Sequence, residues 1–136
     1  MKATCSLTTL LFIVLLPALA AGKEAPPVPY HGAPLIPWAK KVDEHRFRSP
    51  RDYEGTLRYY AKTVLAAGQA RREKICNTTE VRAVYLRALR NTSRWEGINI
   101  YEVKGTTYLY VILSESELER MEKKKQKRAG KGKRSK

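Results

Sequence analysis

The sequence predicts a small α+β domain. One N-terminal amphipathic helix packs on a small antiparallel sheet, between a proline-rich arm and a disordered basic tail. Three observations predict it: a helix start followed by apolar residues at helical spacing after Ser49, two β-rich runs around Lys104-Gly105, and a tail from Lys123 that is almost wholly cationic.

The helix opens at Ser49-Pro50-Arg51-Asp52, a cap residue, a proline at the first helical position and an acid near the positive end of the dipole. Tyr53, Leu57, Tyr60, Ala61, Val64 and Leu65 then recur on one face. The pattern carries the helix to Gln69–Arg72. Residues 78–90, TTEVRAVYLRALR, satisfy two readings. Val81, Val84, Tyr85 and Ala88 suit a helix, and Ala, Leu, Arg and Glu favour one; Val81, Ala83 and Tyr85 also alternate as in a strand. Helix is the expectation.

Residues 98–113, INIYEVKGTTYLYVIL, give the clearest strand signal. With Lys104-Gly105 as a two-residue loop, Val103 faces Thr106, Tyr101 faces Tyr108, Ile100 faces Leu109 and Ile98 faces Val111. Side chains alternate across a strand. Ile98, Ile100, Leu109, Val111 and Leu113 therefore form one face, expected to pack on the helix. Tyr101, Tyr108 and Tyr110 fall on the other, a candidate protein-contact surface because Tyr is enriched at interfaces. The competing reading has this face covered by the arm or by residues 78–90. Ser114-Glu115-Ser116-Glu117 then offers a capping box for a short second helix that frays into solvent.

The flanks carry the address and the charge. Residues 1–20 pair Lys2 with an apolar run and end on Ala18-Leu19-Ala20, the organisation of a cleaved secretory signal peptide. A secreted, extracellular chain of about 115 residues is expected to remain, without a membrane span. Residues 21–48 hold Pro26, Pro27, Pro29, Pro34 and Pro37 and read as an extended arm. Its Tyr30, Leu35, Ile36 and Trp38 leave open whether it docks. Residues 49–122 are the folded body and 123–136 the disordered polybasic tail. The formal net charge is +14, of which residues 120–136 supply +9.

Asn77-Thr78-Thr79 and Asn91-Thr92-Ser93 fit the N-glycosylation acceptor, so Asn77 and Asn91 are candidate glycosylation sites. Once Cys5 leaves with the leader, Cys76 is alone. A leftover cysteine in an oxidising compartment points to an interchain disulfide, and so to a homodimer, or to a buried inert thiol. One Cys with His31 and His45 makes no zinc site, and no cofactor is expected. The chain shows no Ser-His-Asp set and no glycine-rich phosphate loop, so a non-enzymatic protein is expected.

A flexible polycation favours polyanions through counterion release. Outside the cell these are chiefly sulfated glycosaminoglycans. Lys123, Lys124, Lys125, Lys127, Arg128, Lys131, Lys133 and Arg134 are the candidate polyanion-binding residues of a factor retained near cells or matrix, whose body contacts an unknown protein partner or receptor. The alternative is a precursor cleaved at dibasic sites such as Arg71-Arg72 and Lys127-Arg128.

Overall fold

A computed structural model describes residues 23–90 and 94–132. The expected leader, Asn91, Lys133 and Arg134 lie outside the described residues. The fold is α+β: two helices, a six-stranded antiparallel sheet and a separate two-stranded hairpin. In chain order the elements are β1 (Val28–Tyr30), β2 (Ala33–Leu35), β3 (Lys40–Lys41), β4 (Arg46–Arg48), α1 (Tyr53–Tyr60), β5 (Ala70–Asn77), β6 (Val81–Ala88), β7 (Trp95–Val103), β8 (Thr106–Leu113) and α2 (Glu115–Gly132). A π-helical segment, Ala61–Leu65, prolongs α1. The large sheet has the order β3-β4-β8-β7-β6-β5, and β1 pairs only with β2.

The β7–β8 hairpin has the register expected from its sequence: Val103 opposite Thr106, Tyr101 opposite Tyr108, Ile100 opposite Leu109 and Ile98 opposite Val111. Lys104 (φ 49) and Gly105 (φ 74) both adopt positive φ, as the favoured two-residue hairpin turn requires. The aliphatic face is the core. Ile98, Ile100, Leu109, Val111 and Leu113 are buried with Tyr59, Tyr60 and Val64 of the α1 side. Truncating Ile100 or Leu109 to alanine would cost about 2–5 kcal/mol, a large part of the ~5–15 kcal/mol that holds a whole domain together.

Helix α1 starts three residues later than the sequence suggests. Asp52, not Ser49, is the N-cap, accepting a hydrogen bond from Gly55 N–H at 2.8 Å. Ser49 is buried instead, its hydroxyl 2.7 Å from that of Thr56. The helix also stops early. Gly68 (φ 65) turns the chain out, and Ala70 begins β5. Arg71-Arg72 therefore lies in an edge strand rather than at a helix end.

Residues 78–90 are the principal correction: Val81–Ala88 is strand β6, not helix. It is paired on both sides, to β5 and β7. Val84 and Leu86 are buried beneath α1, and two ladders of backbone hydrogen bonds outweigh the modest helix preference of Ala, Leu and Arg.

The arm is docked and partly stranded rather than a free polyproline segment. Leu35 and Ile36 are buried, and Phe47 of β4 is buried opposite Leu109. Two tyrosines of α1 hold the arm down. Tyr60 Oη donates to Pro34 C=O at 2.9 Å and accepts from Ile36 N–H at 3.3 Å, while Tyr59 Oη donates to Ala25 C=O at 2.9 Å. Burial pushes the Tyr60 phenol well above its ordinary range. The residue with the largest apolar side chain in the arm is not used: Trp38 is 77% exposed.

The tail differs as well. Helix α2 continues through Lys123 to Gly132, where the sequence suggests disorder. Lys, Arg, Gln, Glu and Ala all favour helix. Acids lead in the first turn with Glu115 and Glu117, and bases follow, as the dipole prefers.

Two substitutions test this packing. A Cβ on Gly97 would lie 2.3 Å from Cε2 of Tyr85, whose ring crosses β7 at that point. Gly97→Ala is expected to cost about 1–3 kcal/mol in urea unfolding. Trp38 has φ 61 at the third position of a turn closed by Ala39 N–H to Ile36 C=O at 3.3 Å, with Pro37 second, a place that favours glycine. Relief of strain offsets the added flexibility of the unfolded chain. Trp38→Gly should therefore shift stability by no more than about 1 kcal/mol, whereas Phe47→Ala should cost about 3–5 kcal/mol.

Candidate polyanion-binding helix and open sheet face

The basic residues of α2 are gathered on an anchored element. The anchor is Glu117, whose side chain is only 1% exposed. The capping box expected from Ser114 and Glu117 does not form, because Glu117 turns inward. It accepts from Arg120 Nε at 2.8 Å and Nη2 at 2.7 Å, and lies 2.7 Å from Nδ1 of His31. Arg94 approaches it at 3.9 Å. An ionised carboxylate only accepts hydrogen bonds, so Nδ1 of His31 carries the proton. His31 (φ 48) and Gly32 (φ 83) form the tight turn of the β1–β2 hairpin, so α2 is tied to the docked arm. Arg120 beside the carboxyl, helped by the His31 hydrogen bond and opposed by burial, holds Glu117 down to about 2.

Beyond this anchor, Lys123, Lys124, Lys125, Lys127 and Arg128 join Arg120, Met121 and His31 around a cleft of about 650 Å³. At 100° per residue, Arg120, Lys124 and Lys127 form one stripe, with Lys123 and Arg128 on its shoulders. The heads stay available. Lys123 reaches Glu119 at 3.8 Å and Lys125 reaches Glu44 at 3.7 Å, and all four side chains are largely exposed. Pairs of that kind are worth about 0–1 kcal/mol, and a polyanion displaces them readily. Lys131 falls in the last turn of α2. Arg120 belongs to the basic segment 120–136, but the contribution of His31 to the cleft is not legible in the sequence. His31 lies 86 positions before the glutamate it binds.

The second candidate surface lies on the far side of the sheet. Pairing registers place Lys40, Arg48, Tyr108, Tyr101, Ala83 and Cys76 in one row across all six strands. The next row is Arg46, Tyr110, Asn99, Tyr85 and Lys74. Because Phe47, Leu109, Ile100 and Val84 face the core, these rows face away from it. Tyr101 and Tyr108 stack with centroids 5.6 Å apart and planes 26° apart, and the Arg46 guanidinium stands 5.9 Å from the Tyr108 ring centre. Tyr110 is 42% exposed. Neither the docked arm nor β6 covers the tyrosines. The arm packs on the α1 side, and β6 lies beside them in the same sheet.

Cys76 is a free, exposed cysteine on edge strand β5, in the tyrosine rows. Asn77 is exposed at the end of β5 and pairs with Arg82, which puts it on the α1 side. Among the described residues, no group of three His, Cys, Asp or Glu is placed to hold a metal. No helix among them is long and apolar enough to cross a membrane. Comparison of the chain with protein-family models, with curated proteins and with solved structures returns no match.

The Glu117 anchor makes stability depend on acid. A carboxyl held below its unfolded value contributes stability above about 4.5 and loses it as pH falls toward 2. Thermal melts of the native chain should fall across that window. Glu117→Gln should flatten this dependence and cost about 1–3 kcal/mol at neutral pH, because it removes the buried charge that Arg120 and His31 bond.

Proposed function

We propose that the chain is a secreted, non-enzymatic binding glycoprotein that helix α2 holds near cells or matrix by contact with sulfated glycosaminoglycans. One observation carries this reading: five cations of Lys123–Arg128 stand around one cleft on a helix fixed at its start by Glu117, and the ion pairs of Lys123 and Lys125 are exposed ones. A fixed cationic helix loses less conformational freedom on binding than a loose tail does. Export is supported by the leader at residues 1–20 and by two sequons. Asn77 is exposed, as a glycan requires. Exposed Cys76 supports pairing between chains in an oxidising compartment.

The other reading, a precursor cut at dibasic pairs, has less support. Arg71-Arg72 is held in β5, where it pairs with Arg87 and Leu86 of β6, while processing favours exposed, unpaired chain. Lys127-Arg128 remains exposed on α2. Mass spectrometry of the secreted product separates the two. One glycosylated species of full mature length is expected, and discrete fragments ending at dibasic pairs would favour the precursor.

The polyanion interaction is tested on immobilised heparin across a salt series. Replacing Lys123, Lys124, Lys125, Lys127 and Arg128 with Gln should reduce the slope of log affinity against log salt. The expected reduction is roughly 0.7–0.9 for each cation that no longer meets a sulfate, by analogy with phosphate in nucleic acids. An unchanged slope would remove the helix from the site. Non-reducing electrophoresis of the same protein, with and without Cys76→Ser, should show a disulfide dimer only for the native chain.

A further inference from the structure

We infer that the open face of the large sheet is a docking surface for a protein segment that is acidic at both ends and apolar in its middle. This rests on reading the chain as a binding protein and adds the chemistry of its partner. The face has a layered composition. Its middle is aromatic, with Tyr101, Tyr108 and Tyr110 on β7 and β8. Its flanks are cationic, with Arg46 and Arg48 on β4 at one side and Lys74 on β5 at the other. An apolar or aromatic centre with a charged rim is the anatomy of a protein–protein interface. Tyr and Arg are also the residues that most often carry its energy.

Charge decides among the occupants. Asp43 sits 3.6 Å from Arg46 but lies beyond the strand end. Glu73, at the β5 bulge, is taken up by Arg71 and Arg87 at 3.1 and 3.0 Å. Glu96 lies near Tyr85 and Arg87, at the end of the second row away from β4. The rows of Arg46, Arg48 and Lys74 remain net positive. A second copy laid face to face would bring these cations against themselves, whereas a Cys76 disulfide would join copies at the β5 edge, away from β4, β7 and β8; an acidic partner is drawn in. A sulfated polysaccharide or a nucleic acid needs cations along its whole run. Here cations stand at the ends of the rows, with two rings stacked on each other between them. Those rings already stack on each other, and the Arg46 guanidinium stands 5.9 Å from the centre of the Tyr108 ring, so part of the aromatic surface on which bases would stack is taken. A peptide segment laid across the strands fits: its acidic ends reach Arg46 and Arg48 at one side and Lys74 at the other, while apolar side chains between them lie on the tyrosines. The two rows span about 24 Å across the strands and stand about 7 Å apart, from strand spacing and rise. That is below the size of standard interfaces and implies a transient complex. Asn77 faces the other side of the sheet, so a glycan there would leave this face clear.

The test uses a fluorescein-labelled twelve-residue peptide with three glutamates at each end and phenylalanine alternating with serine between them, with a heparin dodecasaccharide and a twelve-nucleotide oligothymidine for comparison. Binding is read by anisotropy and by amide shifts in ¹⁵N-labelled mature protein. The peptide should bind with micromolar affinity. It should weaken at least tenfold with Arg46→Glu plus Arg48→Glu, at least threefold with Tyr110→Ser, and less than threefold when the five helix cations are replaced by Gln. Amide shifts should cluster on β4, β7 and β8. Should the charge-reversed protein fail to fold, Tyr110→Ser and the shift map still decide. The inference is overturned if the peptide does not bind the native protein. It is overturned equally if the peptide follows the helix cations, or if heparin or oligothymidine loses as much as the peptide on the sheet variants. Heparin affinity of the helix variant reports on the glycosaminoglycan reading separately, so either can fail alone.

Discussion

The organisation of this protein depends on one constraint: its large sheet has two chemically different faces, and the described residues cover only one of them. In β6, β7 and β8 the alternation of side chains sends Val84, Leu86, Ile98, Ile100, Leu109 and Val111 to one side. The tyrosines go to the other. A slip of one residue in any strand would exchange the faces. Helix α1, the π-helical segment and the docked arm all pack on the aliphatic side. Even the hydrogen bonds of Tyr59 and Tyr60 serve that layer, by fixing the arm's backbone against the helix. The far face is left to present phenol and guanidinium groups to its surroundings.

Anchoring by a few buried groups governs the charged helix too. Left to composition, a segment with this much like charge would stay extended in water, and only local propensity favours a helix. Glu117 supplies what propensity lacks. Buried, ionised and bonded to His31 and Arg120, it ties the first turns of α2 to the β1–β2 hairpin. Hydrogen bonds to a charged group are worth about 1.5–3 kcal/mol, more than the surface pairs of Lys123 and Lys125 contribute. The cations of the helix are therefore oriented by a residue that does not itself meet a ligand.

The parts of the fold legible in the sequence are those in which local pattern and tertiary environment agree. Residues 98–113 show their register because β-branched and aromatic residues alternate around a turn suited to positive φ. Residues 78–90 mislead because Ala, Leu and Arg speak for helix, while the strand's reasons lie on its neighbours: β5 is a charged edge that carries no apolar period, and β7 lies beyond a connection. Strand β4 is hidden for a related cause. Arg46-Phe47-Arg48 is too short to carry a pattern, and only its pairing with Leu109 gives Phe47 a place in the core. Of the candidate sites, the basic run and the tyrosines could be read from residue type. The Glu117 anchor and the arginine flank of the sheet could not, since both join positions far apart in the chain.

The most direct measure of a sheet covered on one side only is the order in which its tyrosines react with a solvent-borne reagent. Nitration of the isolated, folded protein carrying Cys76→Ser by tetranitromethane, located by peptide mass spectrometry, should modify Tyr110 first. Tyr101 and Tyr108 should follow, and Tyr59 and Tyr60 should react only on unfolding, since they are 0% and 1% exposed against 42% for Tyr110. Protection of Tyr110 in the monomeric native protein, or early reaction of Tyr60, would mean that the sheet is covered on the tyrosine side or open on the aliphatic one.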